Sequence, residues 1–317
     1  MPDILITENI RGAAVDALAK RFEVQIEPDI WSNPEALVSK LADVRALIIR
    51  NQTQITDEVL RHAKSLCVIG RAGVGLDNID INACTKAGVL ITSTPDQNAI
   101  SVAELAIGMM VCLARQIPAA DADTKQGNWN RQRFTGTELY RKTLGILGAG
   151  KIGFLTASRA RAFGMKVLAY DPFMSRDNVL LAELDAQLVS LDDLLANSDV
   201  ISCHLPSTPD TLQLLNASCF RKMRQGALFV NTSRGDVVDE TALLEALRSG
   251  KLAGAALDVR QAEPPTIGEL ETLPNVLLTP HIAALTTEAQ GRVSQAICED
   301  VARVLSGEAP LNAVVRF

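Results

Sequence analysis

The 317-residue chain has only three histidines, His62, His204 and His281, and aromatic residues make up just 4% of it. With so few imidazoles, any general acid–base chemistry near neutral pH points to one of those three. Its six cysteines (67, 84, 112, 203, 219 and 298) include no C-x-x-C pair and sit mostly in apolar segments. That argues against a metal site and for free thiols in a reducing compartment. No long basic run occurs, and the net charge of −6 with a pI near 5.2 argues against nucleic acid or an anionic membrane as partner. The N-terminus enters a strand pattern directly, without a basic region or extended apolar core, so no signal peptide is visible. The longest mostly apolar stretch, 102–114, contains Glu104 and is too short to span a bilayer. A soluble cytoplasmic protein is expected.

What is present is apolar patterning. Single hydrophobic cores stop growing near ~250–300 residues, so 317 residues imply two domains, and 47% hydrophobic residues can fill two cores. Short apolar runs alternate with amphipathic stretches from end to end, which makes the class α/β with parallel sheets. Early strands are expected at 4–7, 24–26, 46–50, 67–70 and 89–92, with helices at about 11–21, 33–41, 56–62 and 79–87. A long helix follows over 101–120, with Ser101 as N-cap, Glu104 completing a capping box and Pro118 near its end. Later strands at 166–170, 200–205, 228–232, 254–259 and 276–279 join one near 143 in a sheet of about six, and 286–306 reads as one long helix.

The run Thr143-Leu-Gly-Ile-Leu-Gly-Ala-Gly-Lys-Ile-Gly153, followed by Lys166-Val-Leu-Ala-Tyr-Asp171, spells strand, glycine turn, helix and a second strand ending in an acid. This is the context a dinucleotide site requires. Gly148 allows the tight turn, Gly150 lets the backbone approach a pyrophosphate, and Gly153 permits close helix–sheet packing. Asp171 lies 18 residues past the last glycine, close to the spacing of a ribose-binding acid. It should repel a 2′-phosphate and favour NAD over NADP, although Arg176 stands nearby. Because the fingerprint starts so late, the expected architecture is two doubly wound domains. A Rossmann NAD-binding domain (98–286) is inserted into a flavodoxin-like substrate domain (1–97 and 287–317).

Ligands of open α/β sheets bind at the carboxyl ends of strands. His204 ends one such strand, but Leu205-Pro206 suggests a structural turn; His62 ends a surface helix and should be solvated. His281 follows Val276-Leu-Leu-Thr-Pro and precedes small residues that leave room for a ligand; a helix-start histidine bonded to backbone is the plainer alternative. Glu263 lies past another strand end in a proline-stiffened loop, and a carboxylate beside an imidazole fixes its tautomer. Alone it reads as a solvated acid. Arg234, in Val230-Asn-Thr-Ser-Arg-Gly-Asp236, offers a planar fork for a carboxylate, or else a surface salt bridge. Three such groups at three successive strand ends favour an active site. A second glycine turn, Gly70-Arg-Ala-Gly-Val-Gly-Leu-Asp-Asn78, is either an anion nest or a tight turn, so the two domains are expected to offer opposite walls of one cleft.

With these motifs the chain resembles the D-isomer-specific 2-hydroxyacid dehydrogenases, most closely their phosphoglycerate dehydrogenase branch. The resemblance is carried by the 70–80 turn, Ser101-Val-Ala-Glu104, Gly136-Thr-Glu-Leu139, the 148–153 fingerprint, Asn231-Thr-Ser-Arg-Gly235, Ala256-Leu-Asp-Val259 with Glu263-Pro264, and Thr279-Pro-His281. It implies catalytic roles for Arg234, Glu263 and His281, and substrate contacts from Val74, Gly75, Arg234 and His281. It further implies cofactor contacts from Lys151, Ile152, Pro172, His204, Thr208 and Thr232 beside the glycines and Asp171, and an Asp258 contact to the nicotinamide carboxamide. A homodimer through the NAD-binding domain is implied too. Arg50, Arg71 and Arg131, the last reaching across that dimer, resemble a phosphate site. They suggest a small anionic 2-hydroxy or 2-keto acid with a second anionic group: phosphoglycerate first, sulfolactate, hydroxypyruvate or glyoxylate otherwise. An NAD-sensing corepressor is the rival from another class. Two departures stand out: Arg260-Gln-Ala where the family usually has an aromatic followed by acids, and Ala284 where glycine is common. No C-terminal regulatory extension is seen, so serine feedback through one is not expected.

Overall fold

The computed structural model describes residues 2–175 and 178–314, and of Leu180 the backbone only. Its chain forms two compact units, Met1–Asn98 with Leu285–Phe317, and Ala99–Ala284.

In the first unit, five short apolar segments become β1 (Ile4–Ile6), β2 (Val24–Ile26), β3 (Ala46–Ile49), β4 (Val68–Arg71) and β5 (Leu90–Thr92). Between them run α1 (Ala13–Ala19), α2 (Pro34–Ser39), α3 (Asp57–His62) and α4 (Ile81–Ala87). Every strand pairing is parallel, in the order β2-β1-β3-β4-β5, which is the flavodoxin-like arrangement. Strands β1, β3 and β4 are buried along their whole length, as central strands covered on both faces must be. The helix starts follow from their caps: Asn33, Thr56 and Asp80 each accept a backbone N–H of the first turn, worth about 1 kcal/mol apiece.

The second unit opens with α5 (Ala99–Arg115) and α6 (Ile117–Lys125). Its sheet is β6 (Thr143–Leu147), β7 (Lys166–Tyr170), β8 (Ala186–Leu188), β9 (Val200–Cys203), β10 (Ala227–Asn231), β11 (Leu252–Leu257) and β12 (Val276–Leu278). Connecting helices are α7 (Lys151–Ala162), α8 (Val179–Glu183), α9 (Leu191–Asn197), α10 (Ala217–Lys222) and α11 (Glu240–Arg248). The parallel order β12-β11-β10-β9-β6-β7-β8 is that of a dinucleotide fold, with its reversal between β6 and β9. The chain then closes the first unit with α12 (Thr287–Leu305), where Val293, Ile297 and Val301 pack on Ile4, Ile6, Ile48 and Val68. Burying each such side chain contributes about 1.5–3 kcal/mol.

Three expectations are corrected. The second sheet has seven strands, because β8 is a three-residue edge strand without a strong alternating pattern. Ser101 does not cap a helix: α5 starts at Ala99, and Ser101 lies buried within it. The long helix also stops earlier than 120, at Gln116, whose φ of 52° breaks it, and Pro118 opens α6 instead of closing α5. Proline lacks only an N–H that a first helical turn leaves unused anyway. No single helix among the described residues is long and apolar enough to cross a membrane.

Candidate active site

The glycine turn leaves β6 at its carboxyl end. Gly148 has φ +89°, and a Cβ there would stand 2.8 Å from the His204 carbonyl oxygen, so the turn needs glycine twice over. Gly153 lets α7 approach so closely that its Cβ would lie 2.2 Å from the Gly148 oxygen. Gly150 is the N-cap of α7, whose first residues are Lys151 and Ile152, and a Cβ on it would meet nothing within 4 Å. Asp171 follows β7 directly, accepting hydrogen bonds from Ala149 N (3.1 Å) and Phe173 N (2.9 Å), with Pro172 beside it. Arg176 lies outside the described residues.

His204 and Thr232 stand one residue past β9 and β10, and the exposed Thr208 sits in the loop after β9. His204 Nε2 pairs with Ser202 Oγ at 3.0 Å, while Nδ1 is sealed from solvent without a partner, although the residue as a whole is partly exposed. Burial pushes its pKa down to about 4, so it is neutral at physiological pH and unsuited to general acid–base work there. Thr232 Oγ1 is likewise buried without a partner. Two orphaned polar atoms on adjacent strand ends, beside a glycine turn opening a helix, fit a dinucleotide cofactor at the point where the strand order reverses.

Arg234, Glu263 and His281 rise from the carboxyl ends of three neighbouring strands, β10, β11 and β12. The buried Asn231 shapes the first of these turns, accepting from Ser233 N (3.0 Å) and donating to the Arg234 oxygen (2.9 Å). His281 is held with φ +54°, a conformation that L residues avoid. Asp258 holds it there. The Asp258 carbonyl accepts His281 N at 2.8 Å. Its carboxylate, 1% exposed, accepts Thr279 Oγ1 together with Ile282 N and Ala283 N, the latter two at 2.8 Å. A nicotinamide carboxamide would add to a carboxylate already accepting three bonds.

His281 Nδ1 lies 2.6 Å from Glu263 Oε2. Glu263 Oε1 accepts Arg260 N at 3.0 Å. Burial pushes the Glu263 pKa up, but the bonds from His281 and Arg260 N, with the positive charge of Arg234 nearby, outweigh it and hold the carboxyl below its ordinary value. An ionised carboxylate only accepts, so Nδ1 carries the proton and Nε2 is left as the basic nitrogen.

Among the other expected site residues, Arg50 and Arg71 stand at the ends of the adjacent strands β3 and β4 in the first unit. Arg50 is half-buried, and its backbone N donates to the buried Glu8 at 2.8 Å. Arg71 is buried, and its Nη1 bonds the Ala72 carbonyl at 3.0 Å, beside Gly73. Val74 is 45% exposed, next to Gly75. Arg131, on an exposed 3-10 turn, belongs to the second unit. His62 is exposed at the end of α3. Sequence reasoning missed Asn231, Thr279 and the partners of Arg260 as organisers of these loops; the acid directly ending an apolar strand at Asp258 was the available signal, since a buried charge must be paired.

Residues 107–283 match the family model for the D-isomer specific 2-hydroxyacid dehydrogenase NAD binding domain. A D-3-phosphoglycerate dehydrogenase from Archaeoglobus fulgidus is 45% identical over 98% of this chain, which spans 59% of that relative's length. A crystal structure of a protein from Thermus thermophilus superposes with a TM-score of 0.92 at 35% identity, covering 98% of this chain and 99% of that one. The D-lactate dehydrogenase of Aquifex aeolicus, solved with NAD and lactic acid, superposes at 0.89 with 30% identity, covering 99% of each chain. The glycine turn, the strand order and these matches agree: the chain belongs to the D-isomer specific 2-hydroxyacid dehydrogenase family, and its second unit is that family's NAD-binding domain.

Proposed function

We propose that the protein oxidises a D-2-hydroxy acid at C2, and reduces the 2-keto acid in reverse, with Arg234, Glu263 and His281 as its catalytic residues. The observation that carries this reading is the 2.6 Å His281–Glu263 pair on the same sheet edge as Arg234. NAD, when bound, supplies the hydride acceptor. His281 takes the hydroxyl proton at Nε2 in oxidation and returns it in reduction, and Glu263 stabilises the imidazolium between those events. Arg234 clamps the substrate carboxylate with its fork. Lys151, Ile152 and the α7 N-terminus hold the pyrophosphate, Asp171 and Pro172 the ribose, and His204, Thr208, Thr232 and Asp258 the rest of the cofactor.

For the acid, a second anionic group is favoured, 3-phosphoglycerate first, with Arg50, Arg71, Val74, Gly75 and Arg131 as its contacts. The curated relative from Archaeoglobus supports it by its name. A smaller acid is the second reading, favoured by the Arg71 guanidinium turning back onto its own loop. A homodimer through the second unit is part of the proposal, supported by exposed Ile117, Trp129 and Tyr140 on that unit. A cytoplasmic setting is supported by six free cysteines. NADH absorbance over a panel of 2-hydroxy and 2-keto acids, with and without a phosphate, tests the assignment, with His281→Ala as control. Turnover unchanged in that variant would sink the catalytic roles, and activity only on unphosphorylated acids would select the second reading.

A further inference from the structure

The loop between β11 and Glu263 is fixed by an arginine that takes no part in the chemistry above. Arg260 lies directly under the Glu263 carboxylate: its backbone N donates to Oε1 at 3.0 Å, leaving Oε2 for His281. Its side chain is only 11% exposed and is held by two acids from other segments. Nε and Nη2 fork onto the two oxygens of Glu240, at 3.0 Å each, where α11 begins, and Nη1 reaches Glu271. Glu240 also accepts Gln261 N at 2.8 Å. On the far side, the Arg260 backbone presses on the residue after Arg234, since a Cβ on Gly235 would stand 2.0 Å from the Arg260 carbonyl. One residue therefore meets the turns of two proposed catalytic groups and is tied down by three charge-assisted bonds, two of them a parallel pair onto one carboxylate that a planar fork makes and a point-like ammonium does not reproduce.

We infer that Arg260 is a positioning residue: clamped by Glu240 and Glu271, it fixes the backbone N–H that orients Glu263 for its bond to His281. This rests on the roles proposed for Glu263 and His281.

The test is steady-state kinetics of Arg260→Met, Arg260→Lys, Glu263→Gln and the Arg260→Met/Glu263→Gln double variant, with NADH affinity and Tm measured on each. Arg260→Met should lower kcat about 100-fold, as for a displaced catalytic group, with KM and NADH affinity within about three-fold. Arg260→Lys should recover only part of kcat, and the double variant should be no slower than Glu263→Gln alone, because both act through one group. Unchanged kcat in Arg260→Met, or losses that multiply in the double variant, would overturn the inference. Should Arg260→Met fail to fold, Glu240→Gln and Glu271→Gln each weaken the clamp by replacing a charged acceptor with an amide, and both must lower kcat without a KM change. His281→Ala separates the two failures: if it turns over normally, the proposed catalytic roles are wrong, whereas a dead His281→Ala beside a normal Arg260→Met refutes only the positioning role.

Discussion

Replacing Asp258 by Asn changes one atom of a side chain that is 1% exposed and accepts three hydrogen bonds. Asn keeps one acceptor oxygen and turns the other into a donor. Whichever way the amide points, it faces the N–H of Ile282 or of Ala283. One charge-assisted bond is lost, worth roughly 1.5–3 kcal/mol, and its N–H is left unsatisfied, worth about 1–3 kcal/mol. A total of about 3 kcal/mol, allowing for local relaxation, lowers the Tm of a unit this size by roughly 6–12 °C. The same loop holds His281 at φ +54°, a conformation costing about 1–3 kcal/mol that persists only while its surroundings enforce it. Once Asp258 lets go, His281 should relax and its imidazole move, for a kcat loss of about 100-fold. Calorimetry without cofactor, followed by turnover at saturating NAD, reads both effects. Doing the first measurement without NAD matters, because a residue that only contacts nicotinamide would leave that Tm alone. A Tm within about 2 °C of the parent would refute the anchoring role, whatever happened to turnover.

His204 should make the fold acid-sensitive. Its neutral ring titrates near 4 when folded against 6.5 when unfolded, so the unfolded chain binds its proton first. Stability from this group is complete above pH 6.5 and falls as pH drops toward 4, by up to about 3 kcal/mol; urea titrations of parent and His204→Phe at pH 7.5 and 4.5 should differ in slope, and parallel behaviour would contradict it. Gly148→Ala and Gly150→Ala should separate folding from cofactor binding. The first meets φ +89° and the His204 carbonyl and must lose more than about 1 kcal/mol, seen in Tm; the second meets no atom within 4 Å and should keep its Tm yet bind NADH at least ~10-fold more weakly, by fluorescence titration, if the pyrophosphate crosses it.

Most strands were legible because parallel strands buried on both faces leave continuous apolar runs, as β1, β3 and β4 do; the less buried 24–26 and 166–170 also match β2 and β7 residue for residue. The last helix was legible because its apolar face repeats at helical spacing; that Thr286 caps it is seen only in the structure. Two kinds of element were not. β8 lies at a sheet edge, where a three-residue strand needs little hydrophobicity, and the α5–α6 break rests on a positive φ at Gln116, which no propensity signals. Pro118 was visible but ambiguous, since proline marks both a helix's first turn and the position just beyond its end.

The site divides along the same line. Residue types at strand ends pointed to Arg234, Glu263 and His281, because topology alone puts those positions on one edge of the sheet. Which of their neighbours hold them was not legible, since that depends on loops whose partners are far apart in sequence. Arg260 is the clearest case: Glu240 lies 20 residues before it and Glu271 lies 11 after it. In the sequence it stood only as a departure from an aromatic position. In the fold, the six residues from Asp258 to Glu263 carry three separate charges with three destinations: the His281 loop, the Glu240–Glu271 clamp and the imidazole itself. An aromatic at 260 could offer the same backbone N–H to Glu263 but not the ion pairs, so the loop would need packing to hold it still. Exchanging Arg260 for Phe therefore has a definite cost, because it leaves Glu240 and Glu271, 23% and 19% exposed, as half-buried like charges facing a site that no longer separates them.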